Sequence, residues 1–299
     1  MKVERKSPSV TFSLIKFAEY TIMNIHEDGV CNMNRMYGFI GCGNMAGAII
    51  GGMLSGGVCT PEQLTVYDIS AEKSEKFGKQ GANVAKDAEE LVRRCDVVVL
   101  AVKPQVYGPV IESMKNAVDE KKILVSIAAG ISTEYVMSAV GFPCKVVRAM
   151  PNTPLLLGYG ATALSRCPSV TDSEFEEVSR LFSASGIVEV LPESSMNAVI
   201  SVNGSSPAYV YLFAKAVIDS AAAQGIEREA AKRLIIQTIK GSAKMLDESG
   251  MEPDELIKMV TSPGGTTLAA LNSFSDDDFE KVIDNAMMAC TTRAGELAK

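Results

Sequence analysis

Three clusters in this 299-residue sequence combine residue types at spacings that could do chemistry. The first is Gly41-Cys42-Gly43-Asn44-Met45-Ala46-Gly47, which follows the apolar run Tyr37-Gly38-Phe39-Ile40 and opens a helical pattern. In such a turn Gly41 permits the tight bend and Gly43 lets the backbone approach a pyrophosphate. Asn44 and Met45 begin a helix whose positive end faces the phosphates, and small Ala46 or Gly47 lets that helix pack close to the strand. A glycine-rich strand-to-helix connection with no ligand has the same letters. Asp68 separates the two readings: it stands 25 residues after Gly43, where an acid accepts hydrogen bonds from adenosine ribose hydroxyls. That makes the turn a dinucleotide site. Asp68 favours the 2′-hydroxyl of NAD. Ser70 and Lys73 just beyond it could hold a 2′-phosphate, or be no more than a helix cap and a solvated side chain.

The second cluster, Ala101-Val102-Lys103-Pro104-Gln105, ends the apolar run of residues 96–102. A polar turn at the carboxyl end of a central strand lies where open α/β sheets bind ligands, so Lys103 and Pro104 are placed to border the nicotinamide ribose. The third is Ser262-Pro263-Gly264-Gly265-Thr266-Thr267. Its glycines can turn several N–H groups one way, a helix from about Thr266 adds its positive end, and the two threonine hydroxyls can each add a hydrogen bond. This is a carboxylate-sized anion cradle; an ordinary loop between helices with an N-cap threonine fits the same letters. The sequence has a single histidine, His26, so imidazole catalysis and a histidine-built metal site are not expected.

These clusters need a frame. Residues 37–41, 64–69, 96–102, 123–128, 145–149 and 187–191 read as strands alternating with helical patterns at 45–54 and 172–185. That alternation predicts βαβ units and a parallel sheet. Beyond Leu191 the strand signal stops. Residues 207–224, 227–249 and 276–297 read as helices, the last with Ser275 as N-cap and Asp276, Asp277 and Asp278 in its first turn. The fold class is therefore α/β: a Rossmann-type, doubly wound parallel sheet followed by an all-helical domain. The expected boundaries are an N-terminal extension without fixed structure at 1–35, the dinucleotide-binding domain at 36–191 and a helical dimerisation and substrate domain at 192–299. Helical faces this broad in so short a domain predict an obligate homodimer.

A hydrophobic content of 47% with 22% charged residues fits a globular chain and excludes collagenous or wholly disordered classes. The net charge of −7, with no basic run, leaves no footprint for nucleic acid. Apolar runs fall short of the roughly 18 residues of a spanning helix, so no membrane association is expected. Seven scattered cysteines, an odd number without a CxxC pair, point to reduced thiols in the cytoplasm. Residues 1–32 mix four basic with four acidic side chains, unlike a signal or transit peptide, and read as an added or mis-started extension before Met33 and Met36.

Five motifs in order resemble the pyrroline-5-carboxylate reductase family: Gly41-Cys42-Gly43-Asn44-Met45-Ala46, Ala101-Val102-Lys103-Pro104, Arg148-Ala149-Met150-Pro151-Asn152-Thr153-Pro154, Ser205-Ser206-Pro207-Ala208-Tyr209 and residues 262–267. The resemblance covers about 36–299. It implies reduction of 1-pyrroline-5-carboxylate to L-proline, the last step of proline biosynthesis. NADPH is the expected reductant and NADH the alternative. It also implies a substrate site at a homodimer interface and, in many members, a decamer of five dimers. By resemblance the glycine turn holds pyrophosphate, Ala101, Lys103 and Pro104 touch the nicotinamide half, and Pro151 and Asn152 form a cofactor-facing loop. Gly264, Gly265, Thr266 and Thr267 cradle the substrate carboxylate, with Thr267 as the catalytic hydroxyl at the imine nitrogen. One departure stands out: Asn203-Gly204-Ser205-Ser206-Pro207-Ala208 replaces the usual Ser-Gly-Ser-Gly-Pro-Ala, and Ser206 adds bulk where glycine is common.

Two other readings compete. A β-hydroxyacid dehydrogenase shares the layout but needs a helical lysine as acid/base, for which Lys215 and Lys240 are the candidates. A nucleotide-binding regulator could keep the fold without turnover; the intact residues 264–267 argue against it.

Overall fold

The computed structural model describes residues 35–297, so the expectation for the N-terminal extension lies, apart from Arg35, outside the described residues. The strands are β1 (Tyr37–Ile40), β2 (Leu64–Tyr67), β3 (Asn83–Val84), β4 (Val97–Leu100), β5 (Ile123–Ser126), β6 (Lys145–Met150), β7 (Gly160–Arg166) and β8 (Gly186–Val190). Interleaved with them are α1 (Asn44–Ser55), α2 (Ala71–Gly78), α3 (Ala88–Arg94), α4 (Tyr107–Met114), α5 (Thr133–Val140) and α6 (Asp172–Ser183). The chain then continues through α7 (Ser206–Ala223), α8 (Arg228–Glu248), α9 (Pro253–Met259), α10 (Thr266–Asp276) and α11 (Phe279–Leu297).

The strands form one sheet in the order β3-β2-β1-β4-β5-β6-β7-β8. Strands β1, β4 and β5 are buried at every position, which is why Val-Val-Val-Leu and Ile-Leu-Val-Ser can form central strands covered by helices on both faces. Register decides what the sheet presents. Ile40 lies opposite both Tyr67 and Leu100, and Leu100 lies opposite Ser126, so β1, β2, β4 and β5 end together. Gly41, Asp68 and Ala101 therefore leave the same edge side by side. That edge flanks the point where the strand order reverses between β1 and β4, the crevice in which doubly wound folds bind ligands.

The sheet is not wholly parallel, as the strand pattern had led us to expect. β7 runs antiparallel to β6 and carries β8 parallel to itself at the outer edge. β7 reads Gly-Ala-Thr-Ala-Leu-Ser-Arg, too small and polar to register as an apolar run, and its pairing with β6 places it. β2 stops at Tyr67, freeing Asp68 from the ladder.

The last helix also begins elsewhere than expected. Ser275 and Asp276 belong to α10, not to the start of α11, and Asp278 breaks the two apart with a φ of 53°. Three successive aspartates oppose the negative end of α10, and aspartate tolerates the left-handed conformation better than most residues. The Phe274 and Phe279 rings close the break, their centroids 5.2 Å apart. Helix α9, which the periodicity did not indicate, is seven residues long.

Candidate functional site

The glycine turn is held from three sides. Gly41 adopts a φ of +98°, and a Cβ there would sit 2.6 Å from the Ala101 carbonyl oxygen, so both backbone sign and space require glycine. Its N–H donates to the Tyr67 carbonyl at 2.7 Å, and the Cys42 N–H donates to Asp68 Oδ2 at 2.8 Å. Gly43 precedes α1 in extended conformation, with no side-chain cap and no acid in the helix's first turn. A Cβ on Gly43 would meet nothing within 4 Å. The first N–H groups of α1 thus open onto space bounded by an exposed Gly43 and Asn44, which suits a pyrophosphate. Met45 is half-buried behind them.

Beside this turn, Ala101 and Val102 are half-buried, and exposed Lys103 caps the short 3₁₀ turn Pro104–Val106. Tyr107, fully buried, fixes the strand ends beneath: its hydroxyl donates to the Leu100 carbonyl at 2.7 Å and accepts from Ser126 Oγ at 3.1 Å. Burial pushes the Tyr107 hydroxyl well above its ordinary pKa, so it stays protonated as a structural donor. Burial first, and the Asp68 carboxylate second, push the Cys42 thiol up to about 11, so it is not a nucleophile at neutral pH.

Asn152 lies in the fold rather than on its surface. It is buried; its Oδ1 accepts from the Ala161 N–H at 2.9 Å and its Nδ2 donates to the Asn203 carbonyl at 3.2 Å. Asn203 reciprocates, its Nδ2 reaching the carbonyls of Met150 at 2.7 Å and Ala161 at 2.8 Å. The two amides lock the loop after β6 against β7 and the π-helical turn Ile200–Gly204. Ser206, the departure from the usual motif, turns its hydroxyl back onto the Val202 carbonyl of that turn, so the bulk is accommodated by a hydrogen bond.

The anion cradle has the same construction as the glycine turn. Gly264 takes a φ of +69°, Gly265 precedes α10 in extended conformation, and α10 starts at Thr266 with no side-chain cap and no acid in its first turn. The Gly265 N–H closes the loop on the Ser262 carbonyl at 2.9 Å. Thr266 is exposed and Thr267 half-buried. Helix α10 packs against α11 in the helical half, so the glycine turn and the cradle belong to different halves of the chain.

The candidate residues did not include Arg148 and Glu193. Arg148, buried in β6, pairs with Glu193 at 3.0 Å and donates to Asn197 Oδ1 at 2.6 Å and the Met196 carbonyl at 3.4 Å. Glu193 also accepts the Thr133 N–H at 3.3 Å. An arginine inside the apolar string Val146-Val147-Arg148-Ala149 was the visible signal, and its partner lies on the segment that leads into the helices. Of the other lysines considered, Lys215 pairs with Asp219 at 2.6 Å on an exposed face, and Lys240 is exposed. A cavity of about 370 Å³ lined by Glu120, Lys121, Cys144 and Lys145 lies at the opposite, amino edge of the sheet. Among the described residues no cluster of His, Cys, Asp and Glu could hold a metal ion, and no helix is long and apolar enough to cross a membrane.

A glycine turn at the switch point of a doubly wound sheet, followed by a helical domain, defines a nucleotide-binding oxidoreductase, and residues 36–130 match the family model described as NADP oxidoreductase, coenzyme F420-dependent. Residues 193–297 match the model of pyrroline-5-carboxylate reductase dimerisation. The pyrroline-5-carboxylate reductase of Escherichia coli is 37% identical over 89% of this chain and 100% of its own length; that of Pseudomonas aeruginosa is 41% identical over 87% and 96%. The crystal structure of the Plasmodium falciparum pyrroline carboxylate reductase with NADP bound superposes with a TM-score of 0.82 at 32% identity, covering 89% of this chain and 99% of that one. The chain belongs to the pyrroline-5-carboxylate reductase family.

Proposed function

We propose that this protein reduces 1-pyrroline-5-carboxylate to L-proline at the expense of NAD(P)H, as the last step of proline biosynthesis. The observation that carries this reading is the pairing of two open, uncapped helix N-termini, α1 for a pyrophosphate and α10 for a carboxylate, in a chain of this family. When bound, NAD(P)H supplies the hydride that adds to the imine carbon. The protein's own contribution is positioning. Gly41, Gly43, Asn44 and Met45 receive the pyrophosphate, and Ala101, Val102, Lys103 and Pro104 border the nicotinamide half. Pro151 and Asn152 shape the adjoining loop from within. In the loop of residues 264–267 the N–H groups of Gly264, Thr266 and Thr267 anchor the substrate carboxylate while that of Gly265 closes the turn. The Thr267 hydroxyl sits at the imine nitrogen, donating to its lone pair in the neutral imine and accepting its N–H in the iminium. The nitrogen's proton arrives with the iminium or from solvent, so no histidine is needed.

Residues 36–191 act as the nucleotide-binding domain and residues 192–299 as the dimerisation and substrate domain, in a homodimer whose interface brings one protomer's cradle to its partner's nicotinamide. A decamer of five dimers is the larger assembly this reading accommodates. The setting is cytoplasmic, in keeping with the free thiols of Cys42, Cys59, Cys95, Cys144, Cys167 and Cys290 among the described residues. The test follows NADPH and NADH oxidation with 1-pyrroline-5-carboxylate, with a hydroxy acid plus oxidised coenzyme as control. Saturable oxidation with proline as product is expected. Turnover of the hydroxy acid instead, lost in Lys215 or Lys240 variants, would replace this reading with the dehydrogenase one.

A further inference from the structure

We propose that this protein prefers NADH to NADPH, and that Asp68 together with Ile69 sets the preference. The inference rests on the nucleotide-site reading above, but its binding test does not require turnover.

Asp68 is the first residue past β2, the strand beside β1, at the edge where the adenosine ribose of a bound dinucleotide lies in this fold. Its carboxylate is fixed in place. Oδ2 accepts the Cys42 N–H at 2.8 Å, Oδ1 accepts the Ser70 N–H at 2.9 Å, and its own N–H donates to Ser74 Oγ at 2.9 Å. Two backbone donors hold the carboxylate in one orientation, and each of its oxygens retains a second lone pair. A 2′-hydroxyl can donate to such an oxygen, whereas a 2′-phosphate brings like charge against an anion that cannot swing away.

The surroundings do not reverse that sign. Residues 64–79 contain no arginine. The position after Asp68 is Ile69, 95% exposed, an apolar surface suited to an adenine ring rather than to a phosphate. Lys73 is the nearby cation, on the first turn of α2, but Glu72 stands beside it on the same turn. The Ser70 hydroxyl makes no cap bond and can serve a ribose hydroxyl as readily as a phosphate. The Plasmodium relative was crystallised with NADP bound; the preference proposed for this chain rests on its own Asp68 and Ile69.

The experiment titrates the full-length protein with NADH and NADPH by nucleotide fluorescence, and with 5′-ADP and 2′,5′-ADP as half-ligands by calorimetry. NADH should bind at least about tenfold tighter than NADPH, with the half-ligands in the same order. Ile69→Arg, which leaves the Asp68 hydrogen bonds intact, should narrow the ratio, and Asp68→Asn should narrow it further. Equal or tighter NADPH binding by the unaltered protein, or a ratio unmoved by both substitutions, overturns the inference. Absence of binding by either nucleotide overturns it together with the site. An NADH preference without reduction of 1-pyrroline-5-carboxylate sustains it and removes the reductase reading instead, so the two failures are distinguishable.

Discussion

In the nucleotide-binding half, β1, β4 and β5 are buried at every position; across α7 to α11, by contrast, the buried residues among those described are Ala231, Ile235 and Ala294. The helical half instead exposes Leu212 at 66%, Leu234 at 65% and Val282 at 56%. Fully burying such a side chain is worth about 1.5–3 kcal/mol, more than half of which these positions forgo. The first half therefore closes its core within one chain, and the second is half of a core. On the proposed reading the site divides along the same line, the cradle on α10 lying in the helical layer that a second copy completes.

The contrast is broken most directly by placing charge on the open faces. The double variant Leu212→Asp, Leu234→Asp should sediment as a monomer and lose more than about 100-fold in kcat/KM, while nucleotide affinity, a property of the self-contained half, changes by less than about twofold. A monomer with undiminished turnover would show that one chain carries the whole site.

The join between the halves comes next. Arg148→Met removes a buried guanidinium from the partly exposed Glu193 carboxylate, at a cost of about 1.5–3 kcal/mol in denaturant unfolding. Adding Glu193→Gln should recover part of that loss. No recovery would mean that the hydrogen bonds of Arg148 to Asn197 and Met196, rather than its charge, hold the join.

Within the glycine turn, two neighbouring positions should respond differently. Gly41→Ala forces a side chain into a left-handed backbone against the Ala101 carbonyl and should cost about 1–3 kcal/mol of stability. Gly43→Ala meets open space, so the fold should keep its stability and lose nucleotide affinity, because the added methyl occupies the pyrophosphate's approach. Equal effects on stability at both positions would mean that Gly43 serves the turn and not a ligand.

The contrast between the halves also explains what the sequence could disclose. The central strands were legible because a segment buried on both faces must be apolar throughout, as Val97-Val98-Val99-Leu100 is. β7 was not, because its small and polar residues owe their place to β6 and β8 rather than to their own pattern. The bends at the glycine turn and at residues 262–267 were legible because a left-handed backbone leaves a glycine in the sequence, as Gly41 and Gly264 do. The Asn152–Asn203 and Arg148–Glu193 ties were hidden because they join positions 51 and 45 residues apart, a proximity that only the folded chain creates. The break at Asp278 was misread for a related reason: acids that suit the start of α11 equally end α10, and spacing does not tell which.

The smallest effect expected falls on Thr267, where the two halves are proposed to meet. It occupies the first turn of α10, half-buried, behind a glycine that supplies no side-chain cap. If the backbone of residues 264–267 binds the carboxylate and the hydroxyl serves the imine nitrogen, the two contributions separate in kinetics. Thr267→Ala should lower kcat by about tenfold, the worth of one hydrogen bond of roughly 1.4 kcal/mol, with KM for the imine little changed. Thr267→Ser should restore most of it, since the hydroxyl returns while the methyl does not. A rise in KM at constant kcat would instead assign the hydroxyl to the carboxylate, leaving protonation of the nitrogen entirely to solvent. An unchanged alanine variant would remove Thr267 from the site and leave the cradle as a purely backbone device.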